Sequence, residues 1–370
     1  MPARRLRSEE DARFMARAVV LARRGVGRTS PNPPVGAVVV RDGRVVGEGW
    51  HRRAGGPHAE VVALRCAGKA ARGATLYVTL EPCSHFGRTP PCARAVIASG
   101  VARVVVAVGD PNPRVRGRGL RALRAAGIGV DVGVMAAEAG EVSAWFRHCV
   151  VHRRPYVLLK LAASLDGRIA TADGESRWVS GVAARRWVHR LRNRVDAVMV
   201  GAGTVLADDP ALTCRIRGGR DPRRVVVDGR LRVSPRAAIF RRRSVAPTLV
   251  ATTVSASPRR RRALERAGAE VLVFPGRNGR LRIGAVLAAL AVRGIVSVLI
   301  EGGGDLAAAA LRERAIDRVL LVSAPLLLGG DGRATLGALG VRRLAGAPRL
   351  TRVTVTRLGR DLLWDGAVQY

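Results

Sequence analysis

His58, Glu60, Cys83 and Cys92 are the residues of this chain whose types and spacing could do chemistry. One imidazole and two thiolates suit a zinc ion held by three protein groups, with the fourth position left for water. Zinc lowers the pKa of such a water toward neutrality, and a carboxylate two residues beyond the histidine can take its proton and pass it on. His-x-Glu followed by Pro-Cys and a second cysteine is the pattern expected for hydrolytic attack on an amino-bearing ring carbon. The expected metal ligands are His58, Cys83 and Cys92, with Glu60 as the catalytic proton carrier. Cys66, Cys149 and Cys214 have no such company and read as core or incidental cysteines. Five irregularly spaced cysteines in 370 residues make no disulfide framework, which predicts reduced thiols and a cytoplasmic chain.

The spacing narrows the reading. Deaminases of free bases or nucleic acids usually carry Pro-Cys-x-x-Cys, whereas here Ser84-His85-Phe86-Gly87-Arg88-Thr89-Pro90-Pro91 separates the two cysteines. Pro57-His58-Ala59-Glu60 with this expanded segment resembles the deaminase half of the bifunctional deaminase/reductases of riboflavin biosynthesis. Ser30-Pro31-Asn32-Pro33 and Asp110-Pro111-Asn112-Pro113 match the same family. The resemblance implies that Asn32, His51, His85, Arg88, Asp110 and Asn112 line a pocket for a pyrimidine and its ribose phosphate. Amide and carboxylate groups read a pyrimidine edge, and Arg88 offers a fork for phosphate. Beside this stands plain turn chemistry for Asn and Asp next to Pro, and a supporting role for His51 and His85 around the metal ligands.

In the second half, Ser164-Leu165-Asp166-Gly167-Arg168, Gly174-Glu175-Ser176-Arg177-Trp178, Gly201 to Pro210 and Glu301-Gly302-Gly303-Gly304 resemble the reductase half of the same family. The resemblance implies a dihydrofolate-reductase-like fold that uses NADPH. Ala162, Trp178, Thr204, Asp208, Gly303, Gly304, Asp305 and Leu306 would border the cofactor. Lys160, Ser176, Arg192, Leu212, Arg215 and Glu301 would face the substrate, the two arginines as phosphate partners. Lys160, Asp208 and Glu301 are the polar groups expected near hydride transfer, and which of them is the acid stays open. The glycine run follows a strand and opens a helix, an arrangement that can hold a phosphate on backbone N–H groups, although it is no Gly-x-Gly-x-x-Gly fingerprint. Taken alone, Arg192 could be a solvated helix residue and Trp178 a core residue.

The family's chemistry, implied for this chain, is zinc-dependent deamination of 2,5-diamino-6-ribosylamino-4(3H)-pyrimidinone 5′-phosphate, then NADPH-dependent reduction of the ribosyl group to ribityl. It also implies one Zn2+ per chain, a small-molecule substrate and a homodimer through the reductase domains.

The elements that must position these groups read as α/β throughout. A helix is expected over Glu9 to Arg24, with Glu9, Glu10 and Asp11 in its acidic first turn. A hairpin turns at Asp42-Gly43 between strands at 35–40 and 45–50. A helix from about His58 to Ala67 puts His58 and Glu60 in its first turn, where the helix dipole helps keep Glu60 ionised. Strands at 75–80, 103–108 and 128–134 alternate with helices at 92–99 and 120–126, which predicts a three-layer, cytidine-deaminase-like domain with helices on both sheet faces. The expected division is a deaminase domain at 1–148, a linker at 149–155 around the polar break Val151 to Pro155, and a reductase domain at 156–370. Val142-Ser143, where the family usually has Leu-Asn, departs from the pattern near that junction.

Composition sets the outer bounds. At 48% hydrophobic residues the chain can build two cores, and no apolar run reaches membrane-spanning length. The N-terminus, basic over Met1 to Arg7, lacks the apolar core of a signal peptide. A net charge of +36, from 64 basic against 28 acidic residues, would suit a polyanion. The arginines are spread along the whole chain, however, and aromatics make up only 4%, too few for a base-stacking platform, so no nucleic-acid partner is expected. Two rival classes follow: an RNA deaminase with a basic accessory domain, and a non-catalytic zinc-stabilised binding protein. The long cysteine spacing counts against the first, and Glu60 beside a three-ligand set counts against the second.

Overall fold

The computed structural model describes residues 2–87, 89–241, 248–276 and 278–370, with side chains from residue 9 onward. The chain forms two compact units, Met1–Arg153 and Arg154–Tyr370.

The first unit runs α1 (Pro2–Arg23), β1 (Gly36–Arg41), β2 (Arg44–Trp50), α2 (Ala59–Ala67), β3 (Thr75–Leu80), α3 (Cys92–Ala98), β4 (Arg103–Val108), α4 (Arg118–Ala125), β5 (Gly129–Val132), α5 (Ala136–Val142) and α6 (Ala144–His152). Its five strands lie in the order β2-β1-β3-β4-β5, with β1 antiparallel to both neighbours and β3, β4 and β5 parallel. Side chains alternate across the sheet. Ala37, Val39, Leu76, Val78, Val104 and Val106 pack with Ala63, Val96 and Leu123 of α2, α3 and α4. Val38, Val40, Tyr77, Val105 and Ala107 pack with Phe14, Met15, Ala18 and Ala139 of α1 and α5. That is the expected three-layer arrangement.

Two local expectations change. Because α1 begins at Pro2, Glu9, Glu10 and Asp11 lie inside the helix instead of in its first turn. Asp11 is buried and accepts hydrogen bonds from Tyr77 Oη at 2.8 Å and from two nitrogens of Arg103 at 2.7 Å. It pins the helix to the sheet and plays no part at the helix end. Similarly, α6 continues to His152, so the segment expected as a linker from 149 is helical for four of its residues.

The metal-bearing helix is seated by two glycines. A Cβ on Gly47 would lie 2.3 Å from Ala63 O, and one on Gly49 would lie 2.5 Å from Ala59 O. Only a bare backbone lets β2 and α2 approach so closely, and this contact sets the depth at which the start of α2 enters the unit.

The second unit contains β6 (Tyr156–Ser164), β7 (Arg168–Ala170), α7 (Val182–Arg194), β8 (Ala197–Gly201), α8 (Ala202–Asp208), β9 (Arg223–Val227), α9 (Ala238–Arg241), β10 (Thr248–Thr253), α10 (Pro258–Arg266), β11 (Ala269–Phe274), α11 (Ile283–Val292), β12 (Ser297–Glu301), α12 (Gly304–Arg312), β13 (Arg318–Ala324), β14 (Arg333–Ala334), β15 (Arg349–Leu358) and β16 (Asp361–Gln369). Nine strands form one sheet in the order β11-β10-β9-β8-β12-β6-β13-β16-β15. Strands β11 through β13 are parallel, and the β13–β16 and β16–β15 pairs are antiparallel. The central strands are buried on both faces, so β8 and β12 read as unbroken apolar runs. One face is covered by Val286, Leu287 and Leu290 of α11 and Leu306, Ala307 and Ala310 of α12.

Candidate active sites in the two units

In the first unit the expected ligands converge. The ligand atoms of His58, Cys83 and Cys92 all lie within 4.8 Å of one another. His58 sits at the N-cap position of α2, Cys83 follows β3, and Cys92 opens α3. His58 Nδ1 is 3.0 Å from Cys92 Sγ and 3.7 Å from Cys83 Sγ, and the Cys92 N–H donates to Cys83 Sγ at 3.2 Å. Hydrogen bonds from Cys92 and His58 favour the Cys83 thiolate, while burial and that neighbouring thiolate hold the Cys92 thiol protonated. One imidazole and two sulfurs facing a common point are donors that fit zinc. Among the described residues no fourth His, Cys, Asp or Glu joins the cluster.

With Nδ1 turned to the sulfurs, His58 Nε2 faces Thr89 Oγ1 at 3.3 Å, a partner that holds the ring's orientation. Glu60 is buried, and burial pushes its carboxyl up to about 7.

His51 lies edge-on to His58, with ring centroids 5.0 Å apart. Its Nδ1 bonds Pro57 O at 3.0 Å, so Nε2 accepts from Asn32 Nδ2 at 3.1 Å. Burial keeps this imidazole neutral by lowering its pKa. Asp110 Oδ1 accepts from the Asn112 N–H at 2.8 Å, and Asn112 Oδ1 from the Arg114 N–H at 3.0 Å. Turn chemistry thus occupies one oxygen of each. Burial raises the Asp110 carboxyl to about 6, with a further push from Glu81. Among the described residues Ser84 Oγ and His85 Nδ1 are buried without a hydrogen-bond partner. Arg88 lies outside the described residues.

Glu81 and Thr89 carry no metal-ligand signal and escaped the sequence reading. Glu81 Oε2 accepts from the N–H groups of Asp110 and Gly117 at 3.3 and 3.0 Å, and Oε1 from those of Gly119 and Leu120 at 3.1 and 3.4 Å. One buried carboxylate therefore ties the Cys83 turn to the loop that carries Asp110 and Asn112.

In the second unit, all fourteen residues expected at the reductase site line one cleft of ≈ 1990 Å³. Lys160 comes from β6, Thr204 and Asp208 from α8, Glu301 from the end of β12, and Gly303 to Leu306 from the turn into α12. Gly303 has φ 78°, and a Cβ there would lie 3.1 Å from Thr204 Oγ1, so the turn keeps an open cradle lined by backbone. Such a cradle fits a cofactor phosphate. Ser176 Oγ donates to Asp208 Oδ1 at 3.3 Å. Trp178 is 64% exposed, so it is no core residue and its ring is available to the cleft. Arg192 is not a solvated helix residue: its Nε and Nη2 grip Glu301 at 2.7 Å each, and Nη1 donates to Thr213 O at 3.1 Å. Three of its five N–H donors are thus engaged by protein. Lys160 is half-buried beside this pair, and desolvation lowers its pKa, whereas Arg192 holds Glu301 below the usual carboxylate range. His189, three residues before Arg192 on α7, also lines the cleft. The i, i+3 spacing was the signal available for it.

Two family models match the chain. Residues 8–108 match the cytidine and deoxycytidylate deaminase zinc-binding region, and residues 155–364 match the RibD C-terminal domain. The riboflavin biosynthesis protein RibD of Escherichia coli (strain K12) is 44% identical over 366 residues, covering 95% of this chain and 98% of that protein. The chain belongs to the RibD family. RibD of Aquifex aeolicus (strain VF5) is 43% identical over 96% of this chain. Among solved structures, Acinetobacter baumannii RibD superposes with a TM-score of 0.89 at 40% identity, covering 98% of this chain and all (100%) of that one. A Thermotoga maritima diaminohydroxyphosphoribosylaminopyrimidine deaminase/5-amino-6-(5-phosphoribosylamino)uracil reductase gives 0.86 at 38% identity, with 98% and 100% covered. As a RibD, the chain joins the deaminase and the reductase of riboflavin biosynthesis in one polypeptide. An RNA deaminase with a basic accessory domain does not fit the RibD match along nearly the whole chain.

Proposed function

We propose that the first unit deaminates 2,5-diamino-6-ribosylamino-4(3H)-pyrimidinone 5′-phosphate and that the second reduces the ribosyl group of the product to ribityl. The observation that carries this is the three-ligand cluster with Glu60 buried beside it, in a chain that also holds the reductase cleft.

His58, Cys83 and Cys92 would hold Zn2+, which would supply the Lewis acidity that makes water nucleophilic near neutral pH. Glu60 takes one proton as water adds to the amino-bearing ring carbon and delivers it to the ring nitrogen, then takes the remaining hydroxyl proton of the adduct and delivers it to the amino group, which leaves as ammonia as the C–N bond breaks and the carbonyl forms. Asn32, His51, His85, Asp110 and Asn112 surround the pyrimidine, and Arg88 contacts the ribose phosphate. The hydrogen bond from Asn32 to His51 Nε2 fixes the orientation in which the Asn32 amide meets the ring.

In the cleft, Ala162, Trp178, Thr204, Asp208, Gly303, Gly304, Asp305 and Leu306 border NADPH, the hydride source. Lys160, Ser176, Arg192, Leu212, Arg215 and Glu301 face the substrate, with Arg192 and Arg215 as phosphate partners. Arg192 also clamps Glu301 in place beside Lys160, a half-buried ammonium whose lowered pKa suits proton transfer to the opening sugar oxygen.

No helix of the described residues is long and apolar enough to cross a membrane, and all five cysteines are free, which supports a cytoplasmic protein. Val353, Val355, Leu362 and Trp364 on β15 and β16 are 40–50% exposed at the edge of the nine-stranded sheet, which supports a homodimer through the reductase units.

The test is to mix the protein with the diaminopyrimidinone ribosyl phosphate and NADPH, following ammonia and cofactor absorbance together. Ammonia release followed by NADPH oxidation that depends on it is the expected result. Zinc-loaded protein that yields neither signal would overturn the proposal.

A further inference from the structure

A carboxylate without any solvent exposure opens β16. Asp361 is 0% exposed, and its Oδ2 accepts from the Gly181 N–H at 2.7 Å, 180 residues earlier in the chain. Gly181 is the N-cap residue of α7 and closes the segment 176–181, which brings Ser176 and Trp178 to the cleft. The two strands of chain meet closely. A Cβ on Gly181 would lie 3.2 Å from Asp361 Oδ2, and one on Gly359 would lie 3.1 Å from Ala183 Cβ. Asp361 Oδ1 lies 3.7 Å from Arg360 Nε and has no hydrogen-bond partner among the described residues. Burying a carboxylate is costly unless it is bonded, and the bond to Gly181 is what this one makes.

The two ends of the segment are held differently. Ser176 Oγ donates to Asp208 Oδ1 at 3.3 Å and Arg177 Nη2 donates to the Asp208 carbonyl, so the Ser176 end is fastened to α8. At the other end, Arg185 Nη1 donates to Ser180 O at 2.7 Å, and the Arg185 guanidinium lies over the Trp178 ring, 4.5 Å from its centroid. Trp178 and Arg185 line both the cleft and a smaller cavity that Leu358, Gly359 and Arg360 also line. The indole thus has open room on two sides, and its place depends on where the backbone of its segment is held. We propose that Asp361 is a positioning residue for the reductase: through the Gly181 N–H it holds the Trp178 end of the segment to the β15–β16 turn, and so keeps the indole in place for NADPH. This rests on the reductase reading above.

Asp361→Ala removes the acceptor, whereas Asp361→Asn keeps an oxygen for the Gly181 N–H. In D361A the Kd for NADPH, titrated by calorimetry without substrate, should rise roughly tenfold, the loss of one hydrogen bond to a charged group. KM for NADPH should rise with it. The kcat and the KM for the deaminated phosphoribosyl substrate should stay within about twofold of wild type, because Asp208 still holds the Ser176 end. D361N should stay near wild type, and deamination should not change. Trp178→Ala should weaken NADPH binding by itself, and adding D361A to it should weaken binding no further. An unchanged Kd for NADPH in D361A would overturn the proposal, as would a fall of kcat at constant KM, or equal weakening by D361A with and without Trp178. Should D361A not fold, Asp361→Ser, whose hydroxyl falls short of the Gly181 N–H, is read against the same outcomes. If the wild type neither binds nor oxidises NADPH, the reductase reading has failed. Hydrogen exchange over 176–181 then still decides what Asp361 holds, equal exchange in wild type and D361A counting against it.

Discussion

Arg192 holds both carboxylate oxygens of Glu301 at 2.7 Å, at the point where the cleft meets the end of β12. Both side chains are largely buried, at 14% and 10% exposed, so either one left alone would be an uncompensated buried charge. The pair lets a carboxylate sit ionised beside half-buried Lys160.

Removing one partner should therefore cost about 3 kcal/mol, read as a lower melting temperature for Arg192→Met. The Glu301 pKa is depressed in the folded chain. Its stabilising contribution is thus fully present above the unfolded value of about 4.3 and is lost as pH falls through the lower folded value. Acid unfolding curves of wild type and Glu301→Gln should converge in that acid window. Parallel curves there would contradict this reading.

Glu60→Gln should keep stoichiometric zinc while deamination falls by roughly 10²–10⁴-fold, the usual range for a lost general acid–base. Supplied with the deaminated substrate, the same variant should oxidise NADPH at the wild-type rate. Metal analysis with the two activity assays checks this in one preparation.

Zinc uptake should strengthen with rising pH. Metal binding needs a neutral imidazole and two thiolates, but in the metal-free chain the Cys83 contact raises the His58 pKa and Cys92 keeps its proton. Both hold protons that zinc must displace, so affinity measured by chelator competition should be weaker at pH 6 than at pH 8. Proton release on binding should be visible in weakly buffered solution. Stripping the metal should abolish ammonia release and spare NADPH oxidation.

Gly49→Ala should lower deaminase kcat without touching the reductase. Its methyl would meet Ala59 O at 2.5 Å and push away the start of α2, which carries His58 and Glu60. Deamination kinetics with zinc content as a control would show it, and an unchanged kcat would mean that the helix has slack.

Most of this site was legible in the sequence because metal donors and apolar periods are local signals. The hairpin at Asp42-Gly43, the strand before Cys83 and the glycine turn into α12 follow from neighbouring residues alone. What stayed hidden depends on partners distant in sequence. Glu81 adjoins the metal segment, but its four amide donors come 29 to 39 residues later. Asp11 looks like a helix-end acid until Arg103, 92 residues on, is seen to hold it. That Arg192 grips Glu301, 109 residues on, shows only in the fold. Composition also cannot tell a glycine that turns the chain from Gly47 and Gly49, which make room for a helix.

The Glu81 carboxylate has a bearing on anyone wishing to retarget this pocket to another base. The stretch from Val108 to Leu120 is not an adjustable loop, since changes in its length would have to return four amides to the same two oxygens beside the Cys83 turn. The stretch after Cys83 is fixed at Thr89, whose Oγ1 meets His58 Nε2. Among the described residues Ser84 Oγ and His85 Nδ1 are buried with no hydrogen-bond partner, and new selectivity is best sought by varying those two positions while Glu81 and Thr89 are left intact.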